Sequence, residues 1–320
     1  MPSVTPPADG PAAAAYQIDT TVAHPARRYN YWLSGKDNFA ADRESADAIA
    51  KVFPHVRIAA IENRRFLHRA VAYLARHAGI RQFLDIGVGL PLEPNTHEIA
   101  QDIAPDCRVV YVDNDPLVMA HARALLTSHP EGATAYVEAD LRDPAAILDD
   151  PGVHHTLDLS QPVGLLLVAV LHFLADDEAT HAVSELLAAL APGSYVVLSH
   201  GTTDYASDDT AARIPSLQKK NEIRFRPRSR EQVAGFVAGL HAVDPDPAAP
   251  GTVAHLVPID RAGSQLVSVA QWRPDPGEPN LPRDEDVACY GVVAGVPDGA
   301  TPGDGVMPAA SPAAPAEPEL

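Results

Sequence analysis

Three aspartates and two glycines carry the chemistry that can be read along this chain of 320 residues. Asp85-x-Gly87-x-Gly89 follows the apolar residues Phe83, Leu84 and Ile86 and reads as a strand entering a glycine turn. Asp113 stands at the tip of a second apolar run, Arg108 to Val112, with Asn114 and Asp115 beside it. Asp140 closes a third, Thr134 to Glu138, and Leu141 follows it. A carboxylate at the second strand end can accept both hydroxyls of a ribose. One at the third can accept from an adenine amine, and the glycines let backbone approach the ligand closely. Acidic positions at three successive strand ends describe a pocket for an adenosine moiety.

The turn discriminates among adenosine ligands. A diphosphate-binding turn needs a third glycine, and Leu92 stands in its place. Pro91 and Pro94 withhold the N–H donors that phosphates would use, and no G-x-x-x-x-G-K-[ST] loop occurs. S-adenosylmethionine therefore fits better than NAD. Each residue also has a plainer reading. The glycines alone can make a tight strand–helix turn, Asp115 is expected as an ordinary carboxylate at a helix start, and Asp140 is a candidate cap for a short helix near Pro144. His172, after the fourth apolar run in VAVLHFLAD, is a candidate general base, or simply a polar residue closing a strand. His200 and Gly201 to Asp204 are candidates for lining the same cleft. No histidine shows metal-ligand spacing.

The elements that must position these groups alternate. Strand 82–86 leads to helix 96–103, with Asn95 and Glu98 as its start signature and Pro105 beyond its end. Strand 108–112 is followed by a helix opened by Pro116, and strands 134–138, 162–169 and 194–199 come next, with helix 177–190 before the last. This alternation implies a doubly wound, mostly parallel α/β sheet covered on both faces. Helical patterns over 42–53 and 58–77 precede it, behind an aromatic cluster of Tyr29, Tyr31 and Trp32. Ser229 and Gln232 open a later helix, and 265–272 and 288–294 are expected as late strands.

Composition narrows the class. A formal charge of −18 with 46% hydrophobic and 21% charged residues is that of an ordinary globular protein without the basic footprint of nucleic-acid binding. The one basic stretch, Lys219, Lys220, Arg224, Arg226, Arg228 and Arg230, reads as a solvated face. Two cysteines make neither a metal cluster nor a disulfide framework and suit a reducing compartment. The longest apolar run, Val163 to Ala175, is broken by His172 and too short for a bilayer. No secretory signal is visible, so a soluble cytoplasmic protein is expected.

The segments NYWLSGKDNFAADRE, RQFLDIGVGLP, PNTHEIAQ, RVVYVDNDPLVMAHARALL, ADLRDP, LLLVAVLHFL and APGSYVVLSHGT together resemble an actinobacterial family of S-adenosylmethionine-dependent methyltransferases, once catalogued as a domain of unknown function. The resemblance runs from about Ala23 to Trp272. It implies a class I methyltransferase-type α/β fold: a seven-stranded doubly wound sheet whose last strand is antiparallel, behind an N-terminal helical cap. It puts Asp85, Gly87 and Gly89 at the methionine end of S-adenosylmethionine, Asp113 with Asn114 at the ribose, and Asp140 with Leu141 at the adenine. The turn Gly35 to Asn38 becomes a lid, with Tyr31, Lys36 and Asn38 over the cofactor. Residues 244–268 look longer than the family pattern. The expected organisation is a Pro/Ala-rich tail over 1–20, the cap over 21–78, the Rossmann-like domain over 79–296 and a second tail over 297–320. The expected activity is methyl transfer to a small-molecule acceptor, without nucleic acid or membrane. The rivals are a non-catalytic S-adenosylmethionine-binding module and an NAD-dependent oxidoreductase.

Overall fold

A computed structural model describes residues 19–207, 209–214, 225–246, 256–277 and 280–297. Most of both Pro/Ala-rich tails, 1–18 and 298–320, lies outside the described residues, as do Lys219, Lys220 and Arg224. Three helices precede the sheet: α1 (Pro25–Trp32), α2 (Ala40–Ala50) and α3 (Val56–Arg76). Pro25 opens α1 where its missing N–H costs nothing. The turn after α1 is closed on buried Asn30, whose carbonyl accepts the Gly35 N–H at 2.8 Å. Asn38 Nδ2 donates to Asn30 Oδ1 at 2.9 Å. A Cβ on residue 35 would lie 2.2 Å from Asn30 Nδ2, so only glycine fits there.

The sheet begins with β1 (Gln82–Ile86), α4 (Thr96–Ile103), β2 (Arg108–Asp113), α5 (Pro116–Leu125) and β3 (Ala133–Glu138). It continues through α6 (Pro144–Leu148), α7 (Pro151–Thr156), β4 (Gly164–Val168), α8 (Asp176–Ala188) and β5 (Tyr195–Gly201). Then come α9 (Arg230–Phe236), β6 (His241–Ala242), β7 (Val257–Pro258), β8 (Val267–Ser268), α10 (Asp284–Val287) and β9 (Cys289–Gly295). The order across the sheet is β3-β2-β1-β4-β5-β9-β6-β7, with β8 paired to β9. Strands β1 to β5 run parallel, and β9 is antiparallel to β5 and β6. The strand order reverses between β1 and β4, and that reversal opens a crevice at their carboxyl ends.

Alternate strand residues feed two cores, which is why these strands read as continuous apolar runs. Phe83, Val109, Leu166 and Val197 pack under α3, whose Phe66, Ala70 and Leu74 recur at helical spacing. Leu84, Val110, Leu165 and Val196 pack on the other face with Ile147 of α6, Val183 of α8 and Phe236 of α9. Among the described residues no helix is long and apolar enough to cross a membrane.

The late segment departs from expectation. Of 265–272 only Val267–Ser268 pairs as a strand. The Val269 and Trp272 carbonyls accept from Arg69 Nη2 and Nε of α3, at 2.7 and 2.9 Å, instead of from a ladder. Trp272 then turns inward, edge-on to Phe66 and Tyr73 at 5.5 and 5.9 Å between ring centroids. The sheet thus carries nine strands rather than seven among the described residues, the additions being the two-residue β6 and β7. Of the long 244–268 loop, residues 247–255 lie outside the described residues.

Candidate cofactor and acceptor site

The turn after β1 is held open from two sides. Gly87 and Gly89 take φ values of +75° and +67°. Gly87 donates to the Val112 carbonyl at 2.8 Å, and the Gly89 N–H donates to Asp113 Oδ2 at 2.9 Å. A Cβ on Gly87 would stand 2.5 Å from Val170 Cγ2, whereas one on Gly89 would meet only the Ala26 Cβ, at 3.9 Å. Gly87→Ala therefore suffers both a left-handed backbone and a clash, roughly 2–5 kcal/mol together, against about 1–2 kcal/mol for Gly89→Ala. Thermal melts of the ligand-free variants should rank them in that order.

Asp113 Oδ1 accepts the Asp115 N–H at 2.9 Å, and Asp115 caps α5 by accepting from Leu117 N at 2.9 Å, as expected of a helix-start carboxylate. Its other oxygen lies 3.1 Å from His24 Nδ1 and 3.5 Å from Arg27 Nε, which docks the start of α1 on the start of α5. Asp143, not Asp140, caps α6, accepting from Ala146 N at 3.1 Å. Asp140 Oδ2 instead accepts from Asn114 Nδ2 at 2.9 Å and Arg142 Nη1 at 2.8 Å. Burial alone would raise the Asp140 carboxyl, but the Arg142 N–H, the Asn114 amide and the Arg142 guanidinium hold it below 3.8.

Asp85 and Asp113 are buried, at 5% and 7% exposure. Burial pushes Asp85 up to about 6 against the opposing pull of the Thr96 hydroxyl, which donates at 2.6 Å, and of Arg64. Burial likewise pushes Asp113 up to about 6, although backbone N–H groups pull it down. A carboxyl raised in this way contributes stability that is fully present below 3.8 and lost as the pH rises through about 6. Asp85→Asn keeps an acceptor for Thr96, so above that pH the ligand-free variant should melt higher than the parent, by at most about 3 kcal/mol. The gap should close near pH 4. Melts across this pH range check both statements.

These groups face one cavity of about 760 Å³, within the range of small-ligand sites. Asp85, Gly87, Gly89, Asp113, Asn114, Asp140 and Leu141 all line it, as does His172. Tyr31, Lys36 and Asn38 do not. The Tyr31 hydroxyl donates to Asp47 Oδ1 at 3.2 Å, Lys36 is exposed, and Asn38 is spent on closing the turn. None of these three positions of the expected lid stands on the cavity wall. The cavity-facing side of α1 carries Pro25, Arg28, Tyr29 and Trp32 instead. Their helical spacing was the signal that sequence reading left unused. From α2 and α3 come Ile49, Val56, Asn63 and Arg64.

His172 lies in a one-turn helix after β4, against the Phe225 ring at 4.9 Å and perpendicular to His200 at 5.4 Å. Burial, followed by His200 and Arg228, keeps it well below 6.5, so the ring is neutral at pH 7. The Gly201 N–H lies 3.4 Å from its Nδ1. As a general base it is weak, because efficient bases titrate near the working pH. His200 is locked neutral, with Nδ1–H donating to the Gly201 carbonyl at 2.8 Å and Nε2 accepting from Arg228 at 2.8 Å. Arg228 is only 3% exposed, which corrects its assignment to a solvated basic face.

A family model described as S-adenosyl methyltransferase matches residues 11–297. The chain belongs to that family. A DUF574-family protein of Streptomyces avermitilis is 44% identical over 87% of this chain and 99% of its own, with a TM-score of 0.78. A Thermobifida fusca protein classed with the methyltransferases is 36% identical over 87% of this chain and 97% of its own, with a TM-score of 0.74. No protein of curated function matches.

As a member of this family the protein is an S-adenosylmethionine-dependent methyltransferase. Its cavity suits that cofactor chemically. Asp85 and Asp113 are buried acceptors on the wall and match an ammonium and hydroxyl donors, Leu141 offers an apolar surface beside Asp140, and the prolines after Gly89 withhold the donors a diphosphate needs.

Proposed function

We propose that this methyltransferase acts on a small molecule held in the same cavity as its cofactor. The observation that carries this reading is the continuity of the cavity, which reaches from the β1, β2 and β3 ends to an apolar wall of Trp32, Ile49, Phe53 and Val56. Asp85, Gly87 and Gly89 take the methionine end, Asp113 with Asn114 the ribose, and Asp140 with Leu141 the adenine. Bound S-adenosylmethionine supplies an electrophilic sulfonium methyl. The protein then has mainly to align a nucleophile in line with that methyl and to exclude water. The apolar wall serves both ends, and neutral His172 hydrogen-bonds and orients the acceptor rather than taking its proton.

Two free, buried thiols, Cys107 and Cys289, support a cytoplasmic setting. A net charge of −18 speaks against a nucleic-acid acceptor.

Calorimetric titration with S-adenosylmethionine, S-adenosylhomocysteine and NAD tests the cofactor site. Micromolar binding of the first two, about −8 kcal/mol, with none of the third, is expected. Radiolabelled cofactor in a fractionated lysate tests the acceptor. Label in the small-molecule fraction supports the reading, whereas label confined to protein or RNA overturns it, and binding without any transfer points to a regulatory module.

A further inference from the structure

Four arginines line the cavity: Arg28, Arg64, Arg142 and Arg283. Three are engaged by the protein. Arg64 donates to the Leu92 and Pro94 carbonyls. Arg142 pairs with Asp140 at 2.8 Å and Glu178 at 3.4 Å, and Arg283 pairs with Asp286 at 2.9 Å. Arg28 differs. It is 5% exposed, and its guanidinium makes no hydrogen bond or ion pair with any described residue. Asp42 supports its charge through space. Both Asp42 oxygens, however, are occupied by backbone N–H groups, of His24 and Phe39, each at 2.8 Å. Burial, with Arg27 adding to it, pulls the Arg28 guanidinium down to about 10.

A guanidinium has five N–H donors and no acceptor. Withdrawing it from water without a partner is among the costliest arrangements in a fold. On a cavity wall, the missing partner is a ligand oxyanion, which the planar fork binds in bidentate fashion. Two anionic groups could compete for it, one on the cofactor and one on the acceptor. Arg64 is the arginine whose charge acts on Asp85, which sets the methionine end beside Arg64 rather than Arg28. Arg28 shares the cavity-facing side of α1 with Tyr29 and Trp32, and Phe53 and Val56 line the same cavity.

We propose that Arg28 receives a carboxylate of the methyl acceptor, which makes that acceptor a small acid with a largely apolar body. This rests on the reading of one cavity shared by cofactor and acceptor. The rest of the acceptor lies against Trp32 and Phe53, and the bidentate contact fixes its orientation toward the cofactor end. Specificity follows from the same feature, because a neutral analogue leaves the buried guanidinium unpaired.

The test uses the full chain and its Arg28→Gln and Arg28→Lys variants. Each is saturated with S-adenosylhomocysteine and titrated with phenylacetate, 3-phenylpropanoate, octanoate and 1-naphthoate, and with the matching primary amides. The parent should bind at least one acid about ten-fold or more tighter than its amide, the loss expected for one charge-assisted pair. Arg28→Gln should lose that preference and Arg28→Lys should keep part of it. S-adenosylhomocysteine affinity of Arg28→Gln should stay within about three-fold of the parent. Because the guanidinium is buried without a hydrogen-bond partner, Arg28→Gln should melt at or above the parent, so a loss of acid binding cannot be put down to unfolding. The proposal is overturned if the parent shows no acid preference across the series, or if that preference survives in Arg28→Gln. It is also overturned if Arg28→Gln weakens S-adenosylhomocysteine but leaves 5′-methylthioadenosine unchanged, for then the cofactor's own carboxylate is the partner. A parent that binds no S-adenosylhomocysteine refutes the cofactor site itself, which separates the two failures.

Discussion

Asp113→Ala will weaken S-adenosylhomocysteine binding by about two orders of magnitude or more. The variant removes a buried carboxylate from the end of β2, where it lines the cavity beside Gly89. Hydrogen bonds from hydroxyls to a charged acceptor are worth about 1.5–3 kcal/mol each, and a ribose presents two. Part of the loss will come from the turn itself, because Asp113 also holds the Gly89 N–H at 2.9 Å. Asp113→Asn separates the two contributions. It keeps one acceptor oxygen but sets an amide against either the Gly89 or the Asp115 N–H, so it should bind poorly as well. Calorimetry reads the affinity, and a thermal melt shows how much the turn has loosened. A change below about three-fold in both variants would remove Asp113 from the site. The same carboxyl sits at about 6 without ligand. Hydroxyl donors favour its charged form, so binding should release a proton near that pH and weaken as the pH falls through it.

The second large effect concerns a residue outside the chemistry. Arg228→Met should destabilise the fold by about 2–6 kcal/mol, about 1–3 kcal/mol for each of two buried acceptors left without a donor, or roughly 4–24 °C in melting temperature. All five N–H groups of this guanidinium are used. Nε and one Nη2 hydrogen go to Asp176 Oδ1 at 3.1 and 2.8 Å. The others reach the Leu171 carbonyl at 3.0 Å, the Leu174 carbonyl at 3.1 Å and His200 Nε2 at 2.8 Å. Arg228 thereby fastens the entrance of α9 to the one-turn helix that carries His172. Removing it leaves the Leu174 carbonyl and an imidazole nitrogen without donors in a buried place, while the Leu171 carbonyl keeps only the Leu174 N–H at 3.1 Å. Arg228→Lys should recover only part of the loss, because a single ammonium cannot reproduce the planar fork. On a solvated face either substitution would change stability by less than about 0.5 kcal/mol, and a melt that small would contradict the network.

The elements that hold the candidate cofactor residues were legible because their signals are local. Phe83, Leu84 and Ile86 run into Gly87, Asn95 meets Glu98 in a capping box, Pro116 opens α5, and each pattern closes within about ten residues. Strand ends carrying Asp85, Asp113 and Asp140 must then gather at one edge of a parallel sheet, whatever the details of packing. Tertiary structure alone decided the rest. It turned 265–272 from a strand into a segment tied to Arg69, some 200 residues away. It buried Arg228 against partners more than 50 residues earlier in the chain. It set Tyr31, Lys36 and Asn38 away from the cavity and put Arg28 on its wall without a partner. In each case the deciding quantity is which surfaces meet. Composition and spacing say what a side chain is able to bond, but whether burial leaves it paired, exposed or waiting for a ligand depends on residues far along the chain.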